Sequence, residues 1–356
     1  MANPIWHNIH SEFRLNGVSC KMETLRQVAD GLQKKGKPFE KAIGRFLSDW
    51  VSDAPTLAVQ TSGSTGEPKT ILLKKEQMIN SAKATGEYFD LKPKQKALLC
   101  LPSTGIAGKM MLVRAMVLGL HLDYVEPSSK PLPNNKSYDF VAMVPLQVEN
   151  SLDQLVNVKK LIIGGAPIAS NLRVELKKQS VEAYETYGMT ETITHIAVKR
   201  IAEESSNSFE VLPNISIAQD ERGCLVIDAP RISDEKIITN DLVELISETQ
   251  FTWLGRYDSI INSGGIKLVP ETIEEKLSSI IKSRFFVAGI PDETLGQKLV
   301  LVVEADSDEA QDLRRSIKNI ETLSKYEVPK EVYFVKAFSE TVTKKINRQK
   351  TIQQIT

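Results

Sequence analysis

The sequence predicts an α/β fold: a large N-terminal domain with a doubly wound parallel sheet plus a β subdomain, and a small mobile α+β C-terminal domain. Three observations predict it. Strand-like and helix-like segments alternate through the middle of the chain; short strands separated by turns follow; a helix–strand–strand–helix–strand unit closes it. With 356 residues, 41% hydrophobic and 25% charged, the chain has the length and composition of a soluble protein of two domains.

Taken in order, "TLAVQ" reads as a strand that feeds the glycine- and hydroxyl-rich run "TSGSTGEPK". "ALLCL" (97–101) is the next strand, and "AGKMMLVRAMVLGL" a largely buried helix. "YDFVAMV" (138–144) is a strand followed by a helix over about 146–156. "KKLIIGG" is a strand followed by a helix over about 170–179, and "VEAYETYG" is the strand after that. This βαβα order argues for parallel strands with helices on both faces. Ligands of such sheets bind at the carboxyl ends of the strands. "TSGSTGEPK", "GGAP" (164–167) and "YGMTET" (187–192) each follow a strand, so all three are expected there.

The texture then changes. Short strands with turns, such as "DERG" before "CLVIDAP", read as an antiparallel β subdomain over about 193–254. A helix over about 270–282, strands "RFFVAGI" and "KLVLVVEA", a helix over about 308–323 and strand "EVYFV" make the last unit. The expected domains are 1–257 and 258–356.

Charge and cysteine usage exclude several classes. Lysine plus arginine equal aspartate plus glutamate at 45 each, so no global field draws nucleic acid or an anionic membrane. Cys20, Cys100 and Cys224 are far apart and form no CxxC pair, which suits a reducing compartment. The start "MANPIWHNIH" lacks a basic region followed by an apolar core. The most apolar run, "MMLVRAMVLGLHLDYV", is broken by Arg114, His121 and Asp123 and is too short to span a bilayer. The expected location is the cytoplasm, with no stable membrane insertion and no nucleic-acid partner. His7 and His10 stand three apart without a third ligand nearby, a poor start for a metal site.

"TSGSTGEPK" carries groups that suit polyphosphate. Gly63 and Gly66 open the backbone, Thr61, Ser62, Ser64 and Thr65 supply hydroxyls, and Lys69 a cation. It is not a Walker A loop, because Pro68 stands where the second glycine belongs and has no N–H to donate. A polar surface turn would have a similar composition.

Four motifs in order decide between these. "TSGSTGEPK", "YGMTET", "GRYDSIINSGGIKLVPETIE" and "TKKINRQK" resemble, respectively, the phosphate loop, the adenine and magnesium segment, the hinge segment and the C-terminal lysine motif of the adenylate-forming superfamily. That superfamily includes acyl-CoA synthetases, non-ribosomal peptide adenylation domains and luciferases. "IPDETLGQKL" is similar to its small domain, and the coverage runs from about residue 55 to the end. The resemblance implies an acid–thiol ligase that uses ATP, Mg²⁺ and coenzyme A. It first makes an acyl-adenylate and then a thioester.

Carried over residue by residue, the resemblance implies the following. Thr61, Ser62, Gly63, Ser64, Thr65, Gly66 and Lys69 hold the phosphates. Gly164, Gly165 and Ala166 line the adenine slot, Tyr187 lies against the base beside Gly188, and Thr190 contacts the nucleotide phosphate. Glu191 holds Mg²⁺, a hard cation suited to carboxylate oxygen. Asp241 accepts from the ribose hydroxyls with Arg256 alongside. Lys345 is the catalytic lysine, a compact cation that meets charge growing at the α-phosphate. Asp258 is the hinge, and Gly264 and Gly265 leave room for the pantetheine arm of coenzyme A.

The chain departs from the pattern in places. Lys344–Lys345 replaces the usual Gly-Lys, with the spacing to Ile346 and Arg348 favouring Lys345. Sixty residues precede the phosphate loop, fewer than in most relatives, so an N-terminal subdomain is expected to be trimmed. The oligomeric state is left open, with a homodimer as one candidate. The usual aromatic or histidine gate is missing from "LPSTGIAGKMMLVRA", where small residues precede Lys109 and Arg114. That suggests a pocket for a bulky acid with a second anion, near Lys109, Arg114 and His195. Lys109 and Arg114 are equally at home as charges on a helix surface. The competing class is a nucleotide-binding homologue without chemistry, against which Lys345, Glu191 and the phosphate loop argue.

Overall fold

The computed structural model describes residues 4–60, 70–278, 280–305, 323–340 and 346–355. They fall into two compact units. The first comprises the described residues of 1–218, 226–237 and 246–251; the second those of 219–225, 238–245 and 252–356.

The first unit opens with a small hairpin, β1 (Arg14–Leu15) and β2 (Val18–Ser19). Asn16 and Gly17 form its turn with φ of +46° and +79°, the geometry for which Asn-Gly is favoured. Helices α1 (Met22–Lys35) and α2 (Pro38–Trp50) follow. α2 starts at a proline whose missing N–H costs nothing there, and Glu40 accepts from the Lys37 N–H at 2.7 Å. It buries Ile43, Phe46, Leu47 and Trp50, a helical spacing of apolar positions. Its far end is held by Lys75, fully buried, whose ammonium donates to the Trp50 and Ser52 carbonyls at 2.9 Å each. A cation on the last carbonyls of a helix satisfies acceptors that have no intrahelical partner.

β3 (Thr56–Gln60) and β4 (Thr70–Lys74) pair only with each other, antiparallel, from Thr56↔Lys74 to Gln60↔Thr70. This corrects one expectation. "TLAVQ" is not a strand of the parallel sheet: it pairs antiparallel with "TILLK" in a sheet of two strands. The reason is local: "TILLK" follows within nine residues and offers the alternating apolar face that "TLAVQ" needs.

After α3 (Lys75–Tyr88), the parallel sheet forms from β5 (Lys96–Leu99), β6 (His121–Tyr124), β7 (Tyr138–Met143), β8 (Val158–Ile163) and β9 (Glu182–Gly188). The spatial order is β9-β8-β7-β5-β6-β1-β2, with β5–β6, β5–β7, β7–β8 and β8–β9 all parallel. The chain thus reverses direction across the sheet between β5 and β7, a switch point where loops splay to leave a crevice. Helix α4 (Ile106–Leu118) lies between β5 and β6, and its run of Met110 to Met116 is buried. The helix expected over 146–156 is instead α5 (Pro145–Asn150) followed by a 3₁₀ segment, Leu152–Asn157. α6 (Ser170–Lys177) returns the chain to β9. The core between sheet and helices includes Leu98, Val141, Met143, Leu161, Ile163 and Leu172. β10 (His195–Ile201) and β11 (Phe209–Val211) extend the sheet antiparallel beyond β9.

β12 (Ser216–Gln219), β13 (Cys224–Asp228), β14 (Ile237–Ser247) and β15 (Gln250–Arg256) follow, each shared by residue range between the two units. The rest of the second unit is a sheet of β16 (Ile261–Ser263), β17 (Ile266–Leu268), β18 (Phe285–Asp292), β19 (Gly296–Glu304) and β20 (Glu331–Val335) with α7 (Pro270–Leu277) and α8 (Arg348–Ile352). Ile273, Leu277, Val287, Leu299, Leu301 and Val303 form one of its cores. The expected helix over 308–323 lies almost wholly outside the described residues. Among the described residues no helix is long and apolar enough to cross a membrane. The three cysteines are free and buried.

Candidate active site

β8 and β9 are adjacent parallel strands, so the segments that follow them leave the sheet side by side. Gly164, half-buried, and Gly165 and Ala166, exposed, come directly after β8. Tyr187 and Gly188 end β9, and 190–192 form a 3₁₀ turn. Tyr187 is half-buried against a platform of two rings, T-shaped to Phe251 at 5.2 Å and tilted to Phe209 at 5.8 Å, which themselves stack at 5.5 Å. Phe209 and Phe251 belong to none of the motifs; their signal in the sequence is only that of ordinary strand aromatics.

The turn after Tyr187 is held under strain. Thr192, buried, accepts from the Met189 N–H at 2.9 Å and donates towards the carbonyls of Met189 and Thr194. Ile193 then takes φ +66° and ψ −58°, and the Thr194 N–H donates to the Thr192 carbonyl at 2.7 Å. This is a γ-turn of the positive-φ hand, rare for any residue and costly for a β-branched one, of order 1–3 kcal/mol. The folded-back chain pairs His195 with Gly188. A Cβ on Gly188 would stand 2.3 Å from the Thr194 carbonyl oxygen and 2.5 Å from the His195 Cα, so only glycine fits.

Glu191, on this turn, is exposed and makes no side-chain hydrogen bond or ion pair among the described residues. A lone exposed carboxylate suits Mg²⁺, which keeps waters and takes one or two carboxylates plus substrate phosphates. Thr190 is half-buried beside it.

Beyond Ile193, the same stretch of chain meets α4. Arg114 is 1% exposed. Its Nε donates to Thr85 Oγ1 at 3.3 Å, and its Nη2 to His195 Nδ1 at 3.3 Å and Thr194 Oγ1 at 3.5 Å. Its Nη1 faces the Met111 sulfur at 3.7 Å. Every partner is neutral, and among the described residues no carboxylate pairs with it. Burial pushes its pKa down to about 9. His195, also buried, is driven well below the usual histidine range, first by burial and then by the Arg114 charge, and is a neutral imidazole. Arg114 is therefore not a helix-surface charge. Lys109 is different: half-buried, its pKa lowered by burial, its ammonium turns back to the Thr104 carbonyl at 2.8 Å.

In the second unit, Asp241 is buried and accepts from the Trp253 indole at 3.2 Å, with Arg256 Nη1 3.6 Å away. Trp253, too, lies in no motif of the sequence. Arg256 also makes a two-pronged contact with Asp258, Nε to Oδ1 and Nη2 to Oδ2 at 3.1 Å each, which holds the Asp258 carboxyl below the usual range. Gly264 and Gly265 form the turn between β16 and β17 with φ of +60° and +82°, and a side chain added at Gly265 would meet open space. The phosphate-loop residues Thr61, Ser62, Gly63, Ser64, Thr65, Gly66 and Lys69, and Lys345, lie outside the described residues. His7 and His10 turn to different partners, the Ser52 carbonyl and the Glu12 N–H, and the described residues hold no cluster of metal-ligating side chains.

A family model described as "AMP-binding enzyme" matches residues 21–223. A protein named 2-succinylbenzoate–CoA ligase from Enterococcus faecalis is 24% identical over 344 residues, covering 84% of this chain and 70% of the relative. One of the same name from Bacillus cytotoxicus is 26% identical over 343 residues, covering 85% and 70%. Among solved structures, an acyl-CoA synthetase (AMP-forming)/AMP-acid ligase II-like protein from Dyadobacter fermentans is 37% identical. It has a TM-score of 0.62 over 93% of this chain and 98% of the other. The o-succinylbenzoate coenzyme A synthetase of Bacillus subtilis, in complex with ATP and magnesium ion, is 19% identical. Its TM-score is 0.70 over 95% and 83%, a likeness of fold.

Proposed function

The chain belongs to the AMP-binding enzyme family, and from that premise we propose that it is an ATP-dependent carboxylic acid–CoA ligase acting on o-succinylbenzoate, in menaquinone biosynthesis. The observation that carries the choice of acid is Arg114. Among the described residues its guanidinium is buried with only neutral partners, an unbalanced charge that a carboxylate delivered by the substrate balances. o-Succinylbenzoate has two carboxylates, so one is activated while Arg114 receives the other. Lys109 is the alternative cation, but its ammonium already has the Thr104 carbonyl.

In the first half-reaction a carboxylate oxygen of the acid attacks the α-phosphorus of ATP, and pyrophosphate leaves. Tyr187, set on its aromatic platform, offers its face to adenine, and the backbone of 164–166 lies beside it. Asp241, held by Trp253, accepts from the ribose, with Arg256 alongside. Thr190 contacts the phosphate. Glu191 would hold Mg²⁺, which neutralises phosphate charge when bound. The loop 61–69 binds the β- and γ-phosphates, and Lys345 donates to the oxygens on which charge grows, an interaction worth most in the transition state. In the second half-reaction the CoA sulfur attacks the acyl carbonyl and AMP leaves. We assign Asp258 as the hinge between functional domains 1–257 and 258–356, and the turn at Gly264 and Gly265 as the path of the pantetheine arm. The location is the cytoplasm.

The test is pyrophosphate–ATP exchange across a panel of acids, followed by thioester formation with CoA. Exchange with o-succinylbenzoate well above other acids is expected. Exchange with another aromatic or acyl acid instead would move the substrate; exchange with none would make the chain a nucleotide-binding homologue without chemistry.

A further inference from the structure

The Arg114 guanidinium is held by a network that defines its own protonation. Arg114 Nη2 can only donate, so His195 Nδ1 at 3.3 Å must present a lone pair. The ring proton is therefore assigned to Nε2, which faces Thr85 Oγ1 at 3.4 Å. Thr85 gives its own proton to the Ser81 carbonyl at 3.0 Å, leaving its lone pairs for His195 Nε2 and Arg114 Nε. Each group has one role that fits, and all three residues are buried.

The network covers one side of the guanidinium. Nε and Nη2 are engaged by Thr85, His195 and Thr194, while among the described residues Nη1 has only the Met111 sulfur, a weak acceptor. One Nη1 N–H has no partner among the described residues. An unengaged N–H on one edge of a guanidinium whose other edge is fully engaged marks the edge that a polar ligand can meet.

We propose that His195 and Thr85 are positioning residues for acid selectivity: together they clamp the Nε–Nη2 edge of Arg114 so that Nη1 is presented to the second carboxylate of the substrate. This rests on the reading that the acid carries two carboxylates. The clamp needs a neutral histidine, because an imidazolium would turn a second N–H towards Arg114 and push the guanidinium away. A lysine or a free arginine rotor in this place would spend binding energy on ordering itself; a clamped fork is already ordered.

The experiment compares o-succinylbenzoate with the same molecule lacking the ring carboxylate, measuring KM and kcat of pyrophosphate–ATP exchange. The variants are His195→Leu, Thr85→Val, His195→Gln and Thr85→Ser. His195→Leu and Thr85→Val are expected to raise KM for the diacid about tenfold or more, with kcat within about threefold and KM for the monoacid unchanged. Thr85→Ser and His195→Gln, which keep a hydroxyl and an amide in place, recover most of the diacid KM. An equal rise with both acids, or no rise with either, overturns the clamp. If the wild type does not distinguish the acids, the diacid reading itself fails. If it does, and Arg114→Met abolishes the distinction while His195→Leu keeps it, only the clamp fails. Should the apolar variants not fold, ¹⁵N spectra of the wild-type ring decide: a proton on Nε2 alone at neutral pH supports the clamp, and a proton on Nδ1 overturns it.

Discussion

Arg114→Met should stabilise the protein while ruining it as a diacid ligase. The guanidinium is fully buried with no carboxylate partner among the described residues, and burial takes its pKa from 12.5 to about 9. At roughly 1.4 kcal/mol per pH unit, the cost of keeping the charge is bounded at about 5 kcal/mol. Methionine is unbranched and of similar length, so it fills the site and removes that cost. Against this, His195 Nδ1 loses its donor, a loss of about 1–3 kcal/mol. The remainder, at most about 2–4 kcal/mol, lies within the range found when buried ionic groups are replaced by apolar ones. For a unit of this size it raises the unfolding midpoint by up to roughly 4–16 °C. Removing one partner of a buried charge pair costs about 2–5 kcal/mol in binding, so KM for the diacid should rise about 10²-fold. Thermal scanning of the free protein and exchange kinetics read the two effects on one sample. A lower midpoint with an unchanged KM would refute the argument, since it would make Arg114 a structural group that its neutral partners satisfy.

Four further outcomes are expected. Gly188→Ala forces a Cβ onto backbone atoms at 2.3 and 2.5 Å that cannot swing aside; it should cost about 1–3 kcal/mol in denaturant unfolding and raise KM for ATP. His195 has its pKa well below 6.5. The unfolded chain therefore takes up a proton that the fold refuses, and stability is full above about pH 6.5 and falls by about 1.4 kcal/mol per pH unit below it. His195→Gln should remove that part of the slope in denaturation between about pH 7 and 5. Lys345→Ala should lower exchange by about 10²–10³-fold yet spare thioester formation from supplied acyl-adenylate, and equal damage to both half-reactions would count against its role. Gly265→Leu should do the reverse, slowing CoA attack while exchange persists; thioester synthesis at the wild-type rate would remove the pantetheine path from this turn.

The fold was legible where apolar runs alternate with longer amphipathic ones. "YDFVAMV", "KKLII" and "VEAYETYG" became adjacent parallel strands because their neighbours in sequence are helices that force a crossover. "TLAVQ" misled because a strand's apolar pattern does not name its partner, and its partner was the next strand. The Asn16–Gly17 hairpin went unread although that dipeptide is the strongest short hairpin signal. At the site, the turn after Tyr187 was legible as a motif, but the rings behind it were not, because Phe209 and Phe251 are distant in sequence. Arg114 and Lys109 looked alike on paper. What separates them is the helix around them: Arg114 sits among Met110, Met111, Leu112, Val113 and Ala115, all buried, and an arginine in such company has no solvent face to escape to.

The elbow at Ile193 has a consequence for how such a protein can change. Before it stand Thr190 and Glu191, assigned to the nucleotide; after it stand Thr194 and His195, which meet Arg114. A positive φ on a buried isoleucine, pinned by the Thr192 hydroxyl, sets the chain direction on both sides through the backbone alone. Side chains at 194 and 195 can therefore be exchanged without re-aiming 190 and 191. The acid preference behaves as a replaceable tip on a fixed mount, open to laboratory evolution at two positions while ATP use is inherited intact.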